Sequence, residues 1–82
     1  MSTEPKPGLP LESVRVLAVE QYGAGPFGTM ALADLGADVV KIEGPTHGDY
    51  MRRRGSDDTL RTRHLGDHFL SQNANKRSLA ID

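Results

Sequence analysis

Gly23, Gly25 and Gly28 stand in the order G-x-G-x-x-G, and Glu43 follows Gly23 by 20 residues. Glycines so spaced let a backbone turn approach a phosphate, and the N–H groups opening a helix receive the anion. An acid about 20 residues on takes a ribose hydroxyl. The pattern therefore allows a nicotinamide or flavin dinucleotide site. Its placement departs from that fingerprint, because Glu20, Gln21 and Tyr22 separate the preceding apolar run from the first glycine. A glycine-rich turn serving only close packing is the plainer alternative. His64 and His68, four apart with Asp67 beside the second, could set two imidazoles on one helical face as metal ligands. No third ligand is identified and there is no H-E-x-x-H motif, so solvated histidines are the commoner outcome and no metal is expected. Arg52, Arg53, Arg54, Arg61 and Arg63 carry guanidiniums suited to two-pronged phosphate binding. Asp49, Asp57 and Asp58 dilute them, which favours a solvated loop with one or two arginines facing a phosphate. Ser13, Ser56, Ser71 and Ser78 lie in no elbow motif and the carboxylates are scattered, so no catalytic constellation is expected within these residues.

The elements that must position these groups follow from periodicity. Residues 1–12, with Pro5, Pro7, Gly8 and Pro10, read as a flexible lead-in, and residues 13–82 as the structured part. Val14 to Val19, rich in β-branched residues, predicts a largely buried strand. Pro26 suits a first helical position, so a helix is expected from near Pro26. Phe27, Met30, Ala31 and Leu35 would form its apolar face, and Gly36 its left-handed stop. Asp38 to Glu43 predicts a second strand, parallel to the first in a right-handed βαβ unit. Residues 44–63 read as a long surface loop, Leu65 to Gln72 as a short helix and Arg77 to Asp82 as the start of a third strand. The fold class expected is α/β, a βαβ piece incomplete as a domain.

Composition narrows the function. There is no cysteine, which excludes disulfide scaffolds and thiolate zinc sites and makes the cytoplasm the default location. No apolar run approaches the roughly 20 residues of a membrane span, and residues 1–10 do not resemble a secretory signal. Ten Lys+Arg oppose 11 Asp+Glu, but residues 1–50 carry −4 and residues 51–82 carry +3, which suggests an anion-facing second half. Without an aromatic platform or a recognition module, no nucleic-acid partner is expected. Four aromatic residues and nine glycines in 82 residues make a poor core, so a self-sufficient enzyme is not expected.

Three blocks together resemble one family. They are Val14-Arg15-Val16-Leu17 with Ala24-Gly25-Pro26 and Leu35-Gly36-Ala37-Asp38-Val39-Val40-Lys41-Ile42-Glu43; Gly44-Pro45 with Gly48-Asp49 and Arg52; and Asn75-Lys76-Arg77-Ser78. In this combination residues 11–82 resemble the N-terminus of the family III CoA-transferases, the CaiB/BaiF family of formyl-CoA transferases, carnitine CoA-transferases and α-methylacyl-CoA racemases.

The resemblance implies a Rossmann-like half that receives the nucleotide end of coenzyme A, with acyl-CoA and a free carboxylic acid as substrates. Gly23 and Ala24 would approach CoA through backbone groups, with Gln21 at the mouth of the same turn. Gly44 takes a position where several members carry an arginine stacked on the adenine. Either Arg52 to Arg54 substitute for it or adenine binding is weaker. Ile81 would open a further stretch lining the nucleotide. The family's catalytic aspartate lies downstream of the matched region, so the 82 residues are expected to be an inactive N-terminal portion that does not distinguish transferase from racemase. The full-length family forms an interlaced homodimer through segments outside this stretch. Two alternatives stay open on the residues alone: a dinucleotide-binding βαβ module using Gly23, Gly25, Gly28 and Glu43, and a non-catalytic interaction fragment.

Overall fold

The structure, a computed structural model, describes residues 8–82. Its elements are β1 (Arg15–Val19), α1 (Ala24–Asp34), β2 (Asp38–Glu43), a 3-10 turn (Tyr50–Arg53), α2 (Asp58–Thr62), α3 (Asp67–Gln72) and β3 (Arg77–Ala80). The first seven residues of the expected lead-in lie outside the described residues. Within its remainder, the Leu11 N–H donates to Leu35 O at 2.9 Å and the Leu11 side chain packs on the core.

The three strands form one parallel sheet in the order β1-β2-β3, with Arg15 opposite Asp38 and Val40 opposite Arg77. The βαβ unit forms as its periodicity dictates, and β2 has the expected bounds. Gly36 ends the first crossover at φ +106, and a Cβ there would lie 2.7 Å from that of Leu9, so only glycine fits without displacement.

Helix α1 starts two residues before Pro26, which falls inside its first turn. Its packed face also differs from the expected one. Pro26 and Ala33 are buried, while Phe27, Ala31 and Leu35 are exposed. Small residues let the helix approach the strands closely, and the core is accordingly a cluster of Ala18, Ala33, Ala37 and Val39 with Leu11 and Val16 against it. The stretch 44–63, expected as a loop, contains the 3-10 turn and α2. Asp49 and Asp57 cap them by accepting from the N–H groups of Met51 (2.8 Å) and Leu60 (3.0 Å). Polar caps start helices that no hydrophobic period announces.

Both crossovers lie on one face of the sheet, since α1 and α3 touch one another. The other face carries Leu17, Val19 and Leu79 at 68%, 85% and 47% exposure. Strand β1 is therefore not the largely buried strand its composition suggests. It is an edge strand with alternate residues on a bare face.

Candidate functional site

Gln21 follows β1, Gly44 follows β2 and Ile81 follows β3, so each lies beyond the carboxyl end of one strand of the parallel sheet. Ligands of open α/β sheets bind at these ends. A cleft of about 400 Å³ opens there, lined by Val19, Glu20, Gln21, Ile42, Glu43, Gly44, Gly48 and Asp49.

A buried ionic network adjoins the cleft through Glu20 and Asp49, which line it. Lys41, in the middle of β2 and 1% exposed, reaches Glu20 Oε2 at 3.1 Å and Asp49 Oδ2 at 2.8 Å. Lys76, 2% exposed, donates to Glu20 Oε2 (2.7 Å), Pro26 O (2.8 Å) and Asn73 Oδ1 (2.7 Å). Thr29 Oγ1 donates to Glu20 Oε1 at 2.5 Å. Burial pushes the Glu20 carboxyl up, but the bonds from Lys76, Thr29 and Lys41 outweigh it and hold the group below the ordinary carboxylate range. The carboxylate partners offset the cost of burying two ammonium groups in so small a core.

Glu43, at the end of β2, is the second anchor. Its Oε1 accepts from Arg52 Nε (2.7 Å) and the Asp49 N–H (2.8 Å), and its Oε2 from Arg52 Nη2 (2.7 Å) and the Ser78 hydroxyl. Burial raises the pKa of Glu43, yet Arg52, Ser78 and Asp49 together bring it down to about 2. Arg52 in turn lies over the Phe69 ring, 3.9 Å from its centroid. It is thus a fixed structural group, not a solvated loop residue and not a substitute adenine partner.

These partners also tell against a dinucleotide site. Glu43 has no carboxylate oxygen left over for a ribose. Gly28, which in the fingerprint allows close helix–strand packing, faces open space. The expected CoA-contacting residues fall in three places. Gln21 and Gly44 line the cleft together, and Gln21 Oε1 accepts from the Tyr50 N–H at 3.2 Å. Gly23 caps α1 and Ala24 opens it, with open space over Gly23. Ile81 lies outside the cleft lining, its N–H bonded to Glu43 O at 3.0 Å and its side chain half-exposed.

His64 and His68 do not share a helix face. His64 sits at φ +58 in the turn between α2 and α3, while His68 is in the first turn of α3. No group of three or more His, Asp or Glu arranged to hold a metal occurs among the described residues. None of the helices described is long and apolar enough to cross a membrane. Sequence reasoning missed the Glu20–Lys41–Asp49–Lys76 network. Its signal was a lysine amid the apolar residues of a central strand, which demands buried carboxylates nearby.

Residues 11–82 match the sequence profile of CoA-transferase family III. The chain belongs to that family. It is 47% identical over 75 residues to the succinyl-CoA:glutarate CoA-transferase of Mus musculus, covering 89% of this chain and 16% of that protein. It is 43% identical over 75 residues to the alpha subunit of the succinyl-CoA–L-malate CoA-transferase of Chloroflexus aurantiacus (90% and 17%). It is 44% identical over 78 residues to the succinyl-CoA:mesaconate CoA-transferase of Haloarcula hispanica (88% and 18%). Among solved structures, a hypothetical protein from Mycobacterium tuberculosis superposes with a TM-score of 0.75 at 35% identity, over 96% of this chain and 20% of that one. This family III chain therefore spans under a fifth of the length of these curated relatives.

Proposed function

We propose that the 82 residues are the N-terminal portion of an acyl-CoA:carboxylate CoA-transferase and contribute to its CoA nucleotide site. The observation carrying this reading is that Gln21 and Gly44, from the ends of neighbouring parallel strands, line one cleft beside the helix start at Gly23 and Ala24. Open space over Gly23 and Gly44 leaves their backbone accessible to a ligand. Gln21, Gly23, Ala24, Gly44 and Ile81 are the proposed CoA contacts. The names of the relatives support succinyl-CoA as donor and a dicarboxylic acid as acceptor. The nucleophile of the reaction is an aspartate outside these residues. It attacks the donor thioester to give a mixed anhydride and CoA thiolate, and the thiolate attacks the aspartyl carbonyl, releasing the donor acid and leaving an aspartyl-CoA thioester. The acceptor carboxylate attacks that thioester to give a second mixed anhydride and CoA thiolate, and the thiolate takes the acceptor's acyl group as the new acyl-CoA, freeing the aspartate. Such covalent catalysis divides one difficult exchange into easier steps. The cysteine-free sequence supports a cytoplasmic location as part of this reading.

Titration of the isotope-labelled 82-residue chain tests the reading. CoA is expected to bind weakly and to shift the amides of Gln21, Gly23, Ala24, Gly44 and Ile81, with no such response to NADH. Succinyl-CoA mixed with glutarate should show no thioester exchange. Turnover by this chain, or saturable binding of NADH without binding of CoA, would overturn it.

A further inference from the structure

A second concavity, of about 380 Å³, lies away from the cleft and is lined by Arg53, Arg54, Gly55, Ser56, Arg61 and His68. Most described cations are consumed internally. Arg15 and Arg77 pair with Asp38, Lys41 with Glu20 and Asp49, Arg52 with Glu43, Lys76 with Glu20 and Arg61 with Asp58. Among the described residues, Arg53, Arg54 and Arg63 form no ion pair with a carboxylate. Two of these three line the concavity.

Arg53 and Arg54 are also held in place. Their guanidiniums lie 6.0 and 5.2 Å from the centroid of the Tyr50 ring, which stacks on Tyr22 at 5.4 Å with an interplanar angle of 4°. The backbone that follows them is pinned as well. Asp67 Oδ1 accepts from the Ser56 N–H at 3.0 Å and Oδ2 from the Ser56 hydroxyl at 3.2 Å. Gly55 holds φ +122, and a Cβ there would collide with the Asp67 carboxylate. Two guanidiniums without carboxylate partners, braced on an aromatic stack and placed beside a fixed turn, meet the requirements of an oxyanion receptor.

We propose that Arg53 and Arg54, with His68 beside them and the Ser56 turn fixing the backbone, form an oxyanion-binding site that accepts a phosphate or carboxylate group. Both groups present a pair of oxygens on one atom that can accept the two N–H bonds of a guanidinium fork. The site is distinct from the cleft holding Gln21 and Gly44, and does not depend on CoA binding there.

The test titrates the 82-residue chain at low ionic strength with inorganic phosphate and, separately, with succinate, following the Gly55 and Ser56 amides and the arginine Nε–H signals. Saturation by either anion is expected, and the one saturating at the lower concentration identifies the preferred group. Arg53→Ala combined with Arg54→Ala should weaken binding at least tenfold, whereas Arg63→Ala, which removes an unpaired arginine outside the concavity, should leave it unchanged. Arg53→Lys combined with Arg54→Lys keeps the charge and loses the fork, and should fall between. Failure of both anions to saturate, or equal weakening by Arg63→Ala, would overturn the proposal, since non-specific charge would then account for any response.

Discussion

Glu43 and Arg52 meet in a two-pronged ion pair, Nε to Oε1 and Nη2 to Oε2, both at 2.7 Å. The pair ties the end of the central strand to the 3-10 turn and, through the Phe69 ring, to α3. Replacing Arg52 strands a nearly buried carboxylate. Arg52→Ala should therefore destabilise the chain by about 3 kcal/mol, read from urea unfolding. Arg52→Lys should recover only part of this, because an ammonium cannot reproduce the fork. Equal stability of Arg52→Ala and the parent chain would remove the pair from any structural role.

Acid should unfold the protein through the same carboxylate. Glu43 has its folded pKa lowered from the ordinary 4.5 to about 2, so its contribution is complete above about 4.5 and is lost as pH falls towards 2. Glu20 and Asp38 are lowered as well and act in the same direction. The urea midpoint should fall steadily through this window, and Glu43→Gln should flatten the slope. A midpoint independent of pH down to about 3 would contradict the assignment.

Gly44 offers a test by gain of affinity. Nothing lies within 4 Å of a Cβ built there, so an arginine can be accommodated. If the cleft receives the nucleotide of CoA, Gly44→Arg should tighten CoA binding about fivefold by stacking on the adenine. Titration calorimetry of both chains decides, and unchanged or weaker affinity would place the adenine elsewhere.

The bare face of the sheet should make the isolated chain associate. Leu17, Val19 and Leu79 form exposed apolar surface of the kind that seeks a partner. Leu17→Lys combined with Val19→Lys should lower concentration-dependent association in sedimentation experiments and reduce dye binding to apolar surface, leaving the fold intact. Association unaffected by the substitutions would locate the sticky surface elsewhere.

The sequence by itself determined the βαβ unit, the bounds of β2, the left-handed stop at Gly36 and the family. These rest on local periodicity, on the conformational freedom of glycine and on residue blocks adjacent in the chain. Residues 44–63 were not legible, because α2 and the 3-10 turn begin at Asp57 and Asp49 caps and show no hydrophobic period. The packed face of α1 was misread for a related reason: the strands select small residues that approach closely over the larger ones the period favours. Only the tertiary structure decided which charges are available. Lys76 meets Glu20 across 56 residues and Ser78 meets Glu43 across 35, so pairing that fixes one set of groups and leaves Arg53 and Arg54 without carboxylates is a property of chain crossings. Spacing along the sequence cannot encode it, because burial and partner distance arise only when three separate segments enter one sheet.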